Sequence, residues 1–226
     1  AEVNMTYKTL YNYPAERQTR FYSSCGWDNA FSDNELKSMC DFFDSQGVER
    51  GTTVGDVESS KQNDETNTVL PSENTRVSNV KFFNFEPLNE NTNWIFQRLN
   101  FVIESLNNQY YNFNLNGYES FQYTEYNAHE GGKYDFHMDS VMGPAIPNNM
   151  IEMRKLSLTL CLNEPGEDYE GGEFQINSSE EKFAETIHTK KGKAILFPSF
   201  MLHRVAPVTK GKRKSLVVWV TGPKFL

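Results

Sequence analysis

The chain has 226 residues, 38% hydrophobic and 23% charged, with a formal net charge of −8. That length suits one large domain or two small ones, and it can bury a core with a cavity inside it. The acidic balance gives no long-range attraction to phosphate or anionic lipid, so nucleic acid and membrane are set aside as default partners.

Three scattered cysteines, Cys25, Cys40 and Cys161, without C-x-x-C spacing argue against a disulfide framework and for a reducing compartment. No apolar run approaches the roughly 18 residues of a spanning helix. The opening AEVNMTYK has no signal-peptide character, and a cytoplasmic location is the resulting expectation.

Taken in chain order, Ser32-Asp33-Asn34-Glu35 is a capping box, and Leu36, Met39, Cys40 and Phe43 recur at helical spacing, which predicts a helix over about 33–45. From Gln46 to Thr75, Gly, Ser, Thr, Asn and Asp dominate and predict a long surface excursion with at most one or two short strands; its sharper reading is a lid over a site. A second helix is expected over about 92–107, where Ile95, Leu99, Val102, Ile103 and Leu106 form one apolar face.

From Leu115 onward the segments are strand-like and punctuated by Gly, Pro and Asn. The expected architecture is therefore mainly β: a two-sheet jelly roll, or double-stranded β-helix, with N-terminal supporting helices. The expected organisation is one domain over 1–226, with helical support to about 114 and the jelly-roll core over about 115–222. Residues 134–139, YDFHMD, alternate at a strand period, so His137 and Asp139 point to one face. The following VMGPAIPNNMIEM, residues 141–153, shows neither helical nor strand periodicity and reads as a packed connection or as a second flank of the site mouth.

Near the end, KGKAILFPS and MLHRVAPV read as two strands broken at Pro-Ser. Thr209-Lys210-Gly211 then reads as a turn into RKSLVVWV, which predicts a hairpin with His203 and Arg213 on neighbouring antiparallel strands facing one cavity.

Two imidazoles, His137 and His203, with one carboxylate, Asp139, form the set that holds non-haem Fe(II) on one face and leaves other positions open for chemistry. His129 and His188 have no suitably spaced carboxylate and read as surface or supporting histidines. Arg213 lies in a charge run, whose plainer reading is a solvated turn. Alternation nonetheless puts Arg213, Ser215, Val217 and Trp219 on one face and Lys214, Leu216, Val218 and Val220 on the other. If Trp219 is inside, so is Arg213, and a buried guanidinium requires an anion, best a carboxylate gripped by two parallel hydrogen bonds. Tyr126 and Tyr134 read as core aromatics, the usual fate of tyrosine in a β-rich chain. Thr159, on a face with Ser157 and Cys161, reads as a wall residue or as plain packing.

These residues, together with Arg76-Val77-Ser78, ESFQYTEY at 119–126, Arg154-Lys155-Leu156-Ser157, YEGGEF at 169–174 and the block from Gly192 to Trp219, resemble the Fe(II)/2-oxoglutarate dioxygenases. The likeness is to the prolyl 4-hydroxylase-like branch that includes the bacterial PKHD-type hydroxylases, and it covers roughly 76–220. It implies Fe(II) on His137, Asp139 and His203, and 2-oxoglutarate held by Arg213 with Tyr126 and Thr159 beside it. It also implies O2 as co-oxidant, ascorbate as a candidate reductant, and oxidative decarboxylation coupled to hydroxylation of a prolyl side chain in a peptide or protein. Asp139 argues against the related halogenases, which need that position vacant. The same chemistry on a free amino acid, a small molecule or nucleic acid is the alternative, and a non-catalytic cupin-like binding module the remoter one. The nucleic-acid repair enzymes carry a second arginine six residues after the first, where this chain has Trp219.

Overall fold

The computed structural model describes residues 21–51, 75–83, 90–140, 152–177 and 181–224. Much of the 46–75 excursion and of the 141–153 segment, both read as possible lids, lies outside those residues. The elements are β1 (Cys25–Trp27), α1 (Asp33–Gln46), β2 (Glu49–Arg50), β3 (Arg76–Val77), β4 (Asn79–Phe83), α2 (Glu90–Leu106) and β5 (Gly117–Asn127). They continue with β6 (Lys133–His137), β7 (Glu152–Cys161), β8 (Tyr169–Gly171), β9 (Phe174–Asn177), β10 (Glu185–Ile187), β11 (Ala194–Pro198), β12 (Leu202–Val205) and β13 (Val208–Pro223).

Both helices stand where side-chain periodicity puts them. At α1 the Ser32 hydroxyl accepts from the Glu35 backbone N–H while the Glu35 carboxylate accepts from the Ser32 N–H, so two otherwise orphaned donors are satisfied. The apolar face of α2 is buried at Ile95, Leu99, Val102, Ile103 and Leu106. The helix then widens into a π-turn over Asn107–Tyr111, where the Asn107 side chain bonds both backbone groups of Phe113 and turns the chain toward β5.

Among the described residues the strands form two sheets, ordered β1-β11-β7-β13-β5-β4-β2, with β8 also paired to β13, and β10-β9-β12-β6-β3. From β5 onward the chain crosses between them: β5 in the first, β6 in the second, β7 back in the first, β9 and β10 in the second, β11 in the first, β12 in the second, β13 in the first. That alternation is the double-stranded β-helix.

Two cores result. One lies between the helices and the outer face of the larger sheet, with Leu36, Met39, Phe43, Leu99 and Ile103 among Leu156, Leu160, Leu216, Val218 and Val220. The other lies between the sheets, around Tyr126, Phe174, Ile176, Phe197 and Val205. Strand β13 serves both sides, because its residues alternate faces. Leu216, Val218 and Val220 face the helices, whereas Arg213, Ser215, Val217 and Trp219 line the cavity between the sheets.

The expected hairpin between the His203 and Arg213 strands does not form. β12 pairs β6 and β9 in the smaller sheet, while β13 pairs β5, β7 and β8 in the larger. The chain crosses at Ala206-Pro207, and Thr209-Lys210-Gly211 is strand rather than turn. Gly211 adopts φ 71 and marks an irregular stretch against β8, where the register shifts between Val208 and Lys210. A β-bulge and a tight turn share the same glycine signal, and pairing partners far away in sequence select between them.

A Cβ on Gly211 would collide with the Asp168 carbonyl and would force an unfavourable backbone region. Gly211→Ala should therefore destabilise the protein by about 1–3 kcal/mol in urea unfolding. Gly131→Ala, also at positive φ (74) but with open space around it, is expected to cost less.

Candidate active site

His137 ends β6 and His203 lies on β12, and the two are direct cross-strand partners. Their ring centroids are 4.2 Å apart. Each Nδ1 lies within hydrogen-bond distance of the carbonyl two residues earlier, His137 on Asp135 at 2.8 Å and His203 on Met201 at 2.9 Å. A carbonyl only accepts, so Nδ1 carries the proton in both rings and the lone pair sits on Nε2. Both Nε2 atoms face Asp139, His137 at 3.6 Å from Oδ1 and His203 at 3.6 Å from Oδ2. One ligand atom from each of the three residues lies within 4.8 Å of the others, a donor set that could hold a divalent first-row metal.

Burial and the neighbouring His203 hold the His137 imidazole well below its ordinary pKa, against the pull of Asp139. Burial also works against the Asp139 charge, but the two imidazoles and the Ser157 hydroxyl outweigh it and keep the carboxyl below its usual range. The favoured state, a neutral His137 beside an Asp139 carboxylate, is the ligand form.

The cavity between the sheets measures about 500 Å³. Strand register lays its larger-sheet wall out in rows. Tyr126 pairs with Arg213 at one end; then Thr124, Ser215 and Cys161 align; then Phe82, Gln122, Val217 and Thr159; and Trp219 pairs with Ser157 at the other end. Arg213 is 2% exposed. Its Nη1 donates to the Ser215 hydroxyl at 3.2 Å, its guanidinium lies 5.5 Å from the Tyr126 ring centroid, and its Nε has no partner. A buried cation with an unspent donor and, among the described residues, no carboxylate paired with it suits a small anionic ligand in the cavity.

Tyr126 is buried at that end, and Thr159 lines the middle row. Tyr134 stacks on His137 with ring centroids 3.5 Å apart, and the Arg76 guanidinium covers its other face at 4.8 Å. His129 and His188 are exposed and away from the trio.

Several contributors carried no local signal of a role. Ser157 donates to Asp139 Oδ2 at 2.7 Å and is 2.9 Å from Ser199 Oγ. Arg154 grips Glu119 with Nε and Nη2, both at 2.6 Å, and its guanidinium lies 4.1 Å from the Trp219 ring centroid. Two signals pointed toward them: β7 alternation, which puts Ser157 on the face of Thr159, and the place of residues 119–126, 154–157 and Trp219 in the family resemblance.

Residues 121–221 match the 2OG-Fe(II) oxygenase superfamily. The matched stretch contains all three metal-type ligands and Arg213. A stretch of 90 residues, 40% of this chain, is 42% identical to a PKHD-type hydroxylase of Psychrobacter sp. (strain PRwf-1) and covers 34% of that protein. The identity to a PKHD-type hydroxylase of Teredinibacter turnerae is 37% over 90 residues, again 40% of this chain and 38% of the relative. The chain thus matches little more than a third of the length of these relatives.

Among solved structures, a Pseudomonas putida prolyl-4-hydroxylase superposes with TM-score 0.62 at 15% identity, over 90% of this chain and 94% of that one. A Trichoplax adhaerens prolyl hydroxylase, solved with a hypoxia inducible factor peptide fragment, gives 0.62 at 18% identity over 88% and 83%. At these identities the likeness establishes the fold.

His137 is neutral in the fold but protonates in the unfolded chain below about pH 6.5, so the unfolded state binds more protons there. Stability of the metal-free protein should consequently fall as pH drops below that point. The depressed Asp139 carboxyl extends the loss further into acid, as pH falls through its folded value. His137→Gln should flatten the upper part of this slope in urea titrations between pH about 7 and about 5.

Proposed function

We propose that the chain is an Fe(II)- and 2-oxoglutarate-dependent hydroxylase acting on a prolyl residue of a peptide or protein. The observation that carries this reading is the trio itself. Two imidazoles with proton-locked Nδ1 atoms turn their Nε2 lone pairs toward one carboxylate, in a cavity shared with a buried arginine that has a donor to spare.

In this reading His137 Nε2, His203 Nε2 and an Asp139 oxygen hold the iron. Arg213 receives the distal carboxylate of 2-oxoglutarate, with Tyr126 and Thr159 flanking it. Bound together, Fe(II), 2-oxoglutarate and O2 supply the oxidising power to hydroxylate an unactivated C–H bond, with succinate and CO2 as co-products. The protein's own part is to bind, orient and exclude water. The carbonyl bonds to Nδ1 keep both imidazoles in the ligating tautomer, Ser157 orients the carboxylate, and the apolar walls at Val217, Phe174 and Phe197 limit bulk solvent.

The prolyl substrate is supported by the PKHD-type and prolyl hydroxylase relatives and by the mouth of the cavity. Phe82 and Met138 stand there 53% and 50% exposed, an apolar rim suited to a peptide. The net charge of −8 speaks against a nucleic-acid substrate. Among the described residues no helix is long and apolar enough to cross a membrane.

The test is a gain of one oxygen on short peptides with a single central proline, dependent on both iron and 2-oxoglutarate and read by mass spectrometry. His137→Ala, Asp139→Ala and His203→Ala should each abolish succinate formation while leaving the protein folded; full succinate production by any one of them overturns the metal assignment. Arg213→Ala should weaken 2-oxoglutarate binding by about 2–5 kcal/mol, the range for truncating one partner of a buried charged pair. Arg213→Lys should recover part of it, since an ammonium lacks the planar fork.

A further inference from the structure

Of the three metal-type ligands, Asp139 is the one that no strand ladder holds. His137 and His203 sit opposite each other on paired strands, whereas β6 ends at His137 and Asp139 lies two residues beyond it. Its backbone is fixed in another way. The Asp139 N–H donates to the Ser199 carbonyl at 2.9 Å, and its carbonyl accepts from Arg154 Nη1 at 3.3 Å.

Arg154 is itself fixed on every side. Nε and Nη2 make two parallel bonds to the Glu119 carboxylate at 2.6 Å, and the guanidinium plane lies on the Trp219 ring. Bidentate guanidinium–carboxylate pairs combine strength with angular definition, and a stacked indole limits the remaining rotation. The Arg154 side chain is 27% exposed and that of Glu119 47%, so solvent reaches the carboxylate side of the pair, and its part here is angular definition rather than strength.

We propose that Glu119 and Arg154 are positioning residues for the metal centre: β5, through Glu119, aims the Arg154 fork so that its remaining arm pins the Asp139 carbonyl and holds the carboxylate at its place in the donor set. This rests on the reading of His137, Asp139 and His203 as a metal site. Three of the five Arg154 N–H donors, one on each nitrogen, are engaged in this way.

Charge sign separates this role from a plain field effect. Deleting a cation beside a metal site strengthens metal binding by electrostatics alone. Loss of positioning weakens it, by about 10- to 100-fold for partners that orient a ligand. The experiment titrates Co(II) anaerobically into the metal-free protein and follows ligand-field absorption, with urea unfolding of each metal-free variant measured alongside.

Arg154→Met, which keeps an apolar stem over Trp219, should bind Co(II) about 10- to 100-fold more weakly, with an altered ligand-field spectrum. Arg154→Lys, which keeps the charge but not the fork, should also bind more weakly. Glu119→Gln tests the brace without touching Arg154, and it serves if either Arg154 variant fails to fold; because losing a carboxylate weakens Co(II) binding by field alone, the expected signature is an altered ligand-field spectrum with a parent-like unfolding midpoint. Lys210→Ala, which removes an exposed pair with Glu170 elsewhere on the surface, should leave Co(II) binding unchanged.

Unchanged or tighter Co(II) binding in Arg154→Met, or a parent-like ligand-field spectrum in Glu119→Gln, overturns the positioning role. Failure of the parent protein to bind Co(II), or binding that survives Asp139→Ala, sinks the metal-site reading instead, so the two failures are distinguishable.

Discussion

The pairing of β6 with β12 is the constraint on which the site depends. It sets His137 opposite His203 in register, and the strand backbones then supply the carbonyls of Asp135 and Met201 that hold both Nδ1 protons. Shifting either strand by one residue would turn its imidazole to the opposite face of the sheet. The register therefore sets ligand geometry and tautomer together, and the inter-sheet core around Phe174, Phe197 and Val205 maintains it.

The two sheets divide the labour. The smaller sheet carries both imidazoles. The larger one, backed by α1 and α2, carries Arg213, Tyr126 and Thr159, with Ser157 reaching across to Asp139. Because successive strands alternate between sheets, residues far apart in sequence arrive at one cavity, and those next to each other along β13 serve opposite cores. A substitution at Val218 would be felt at the helices, whereas one at its neighbour Trp219 would be felt at the cavity mouth. Asp139, beyond the end of its strand, depends on side-chain anchors instead.

Much of this was legible from local pattern. The capping box at Ser32, the apolar stripe from Ile95 to Leu106 and the period-two alternation of β13 each follow from the geometry of one element, and short-range periodicity records such geometry directly. The burial of Arg213 alongside Trp219 was legible for the same reason, whereas the strand expected to carry His137 and Asp139 on one face ends at His137, and Ser157, Ser199 and Arg154 hold Asp139 instead. Less readable was Thr209-Lys210-Gly211. A positive-φ glycine after a proline fits a hairpin turn and a bulge equally well, and it is β8 alongside that makes it a bulge.

What the sequence determined by itself was the inventory: two helices, a run of alternating strands, three metal-type ligands and an arginine facing inward. Tertiary structure decided the relations among them. It sent His203 and Arg213 to different sheets, placed Ser157 and Ser199 beside Asp139, and brought Glu119 from β5 to the Arg154 fork across 35 residues of chain. The physical reason is that hydrogen bonds between distant segments leave no periodic trace in the chain. A serine that orients a ligand and a serine that merely packs are the same letter until the sheets close around them.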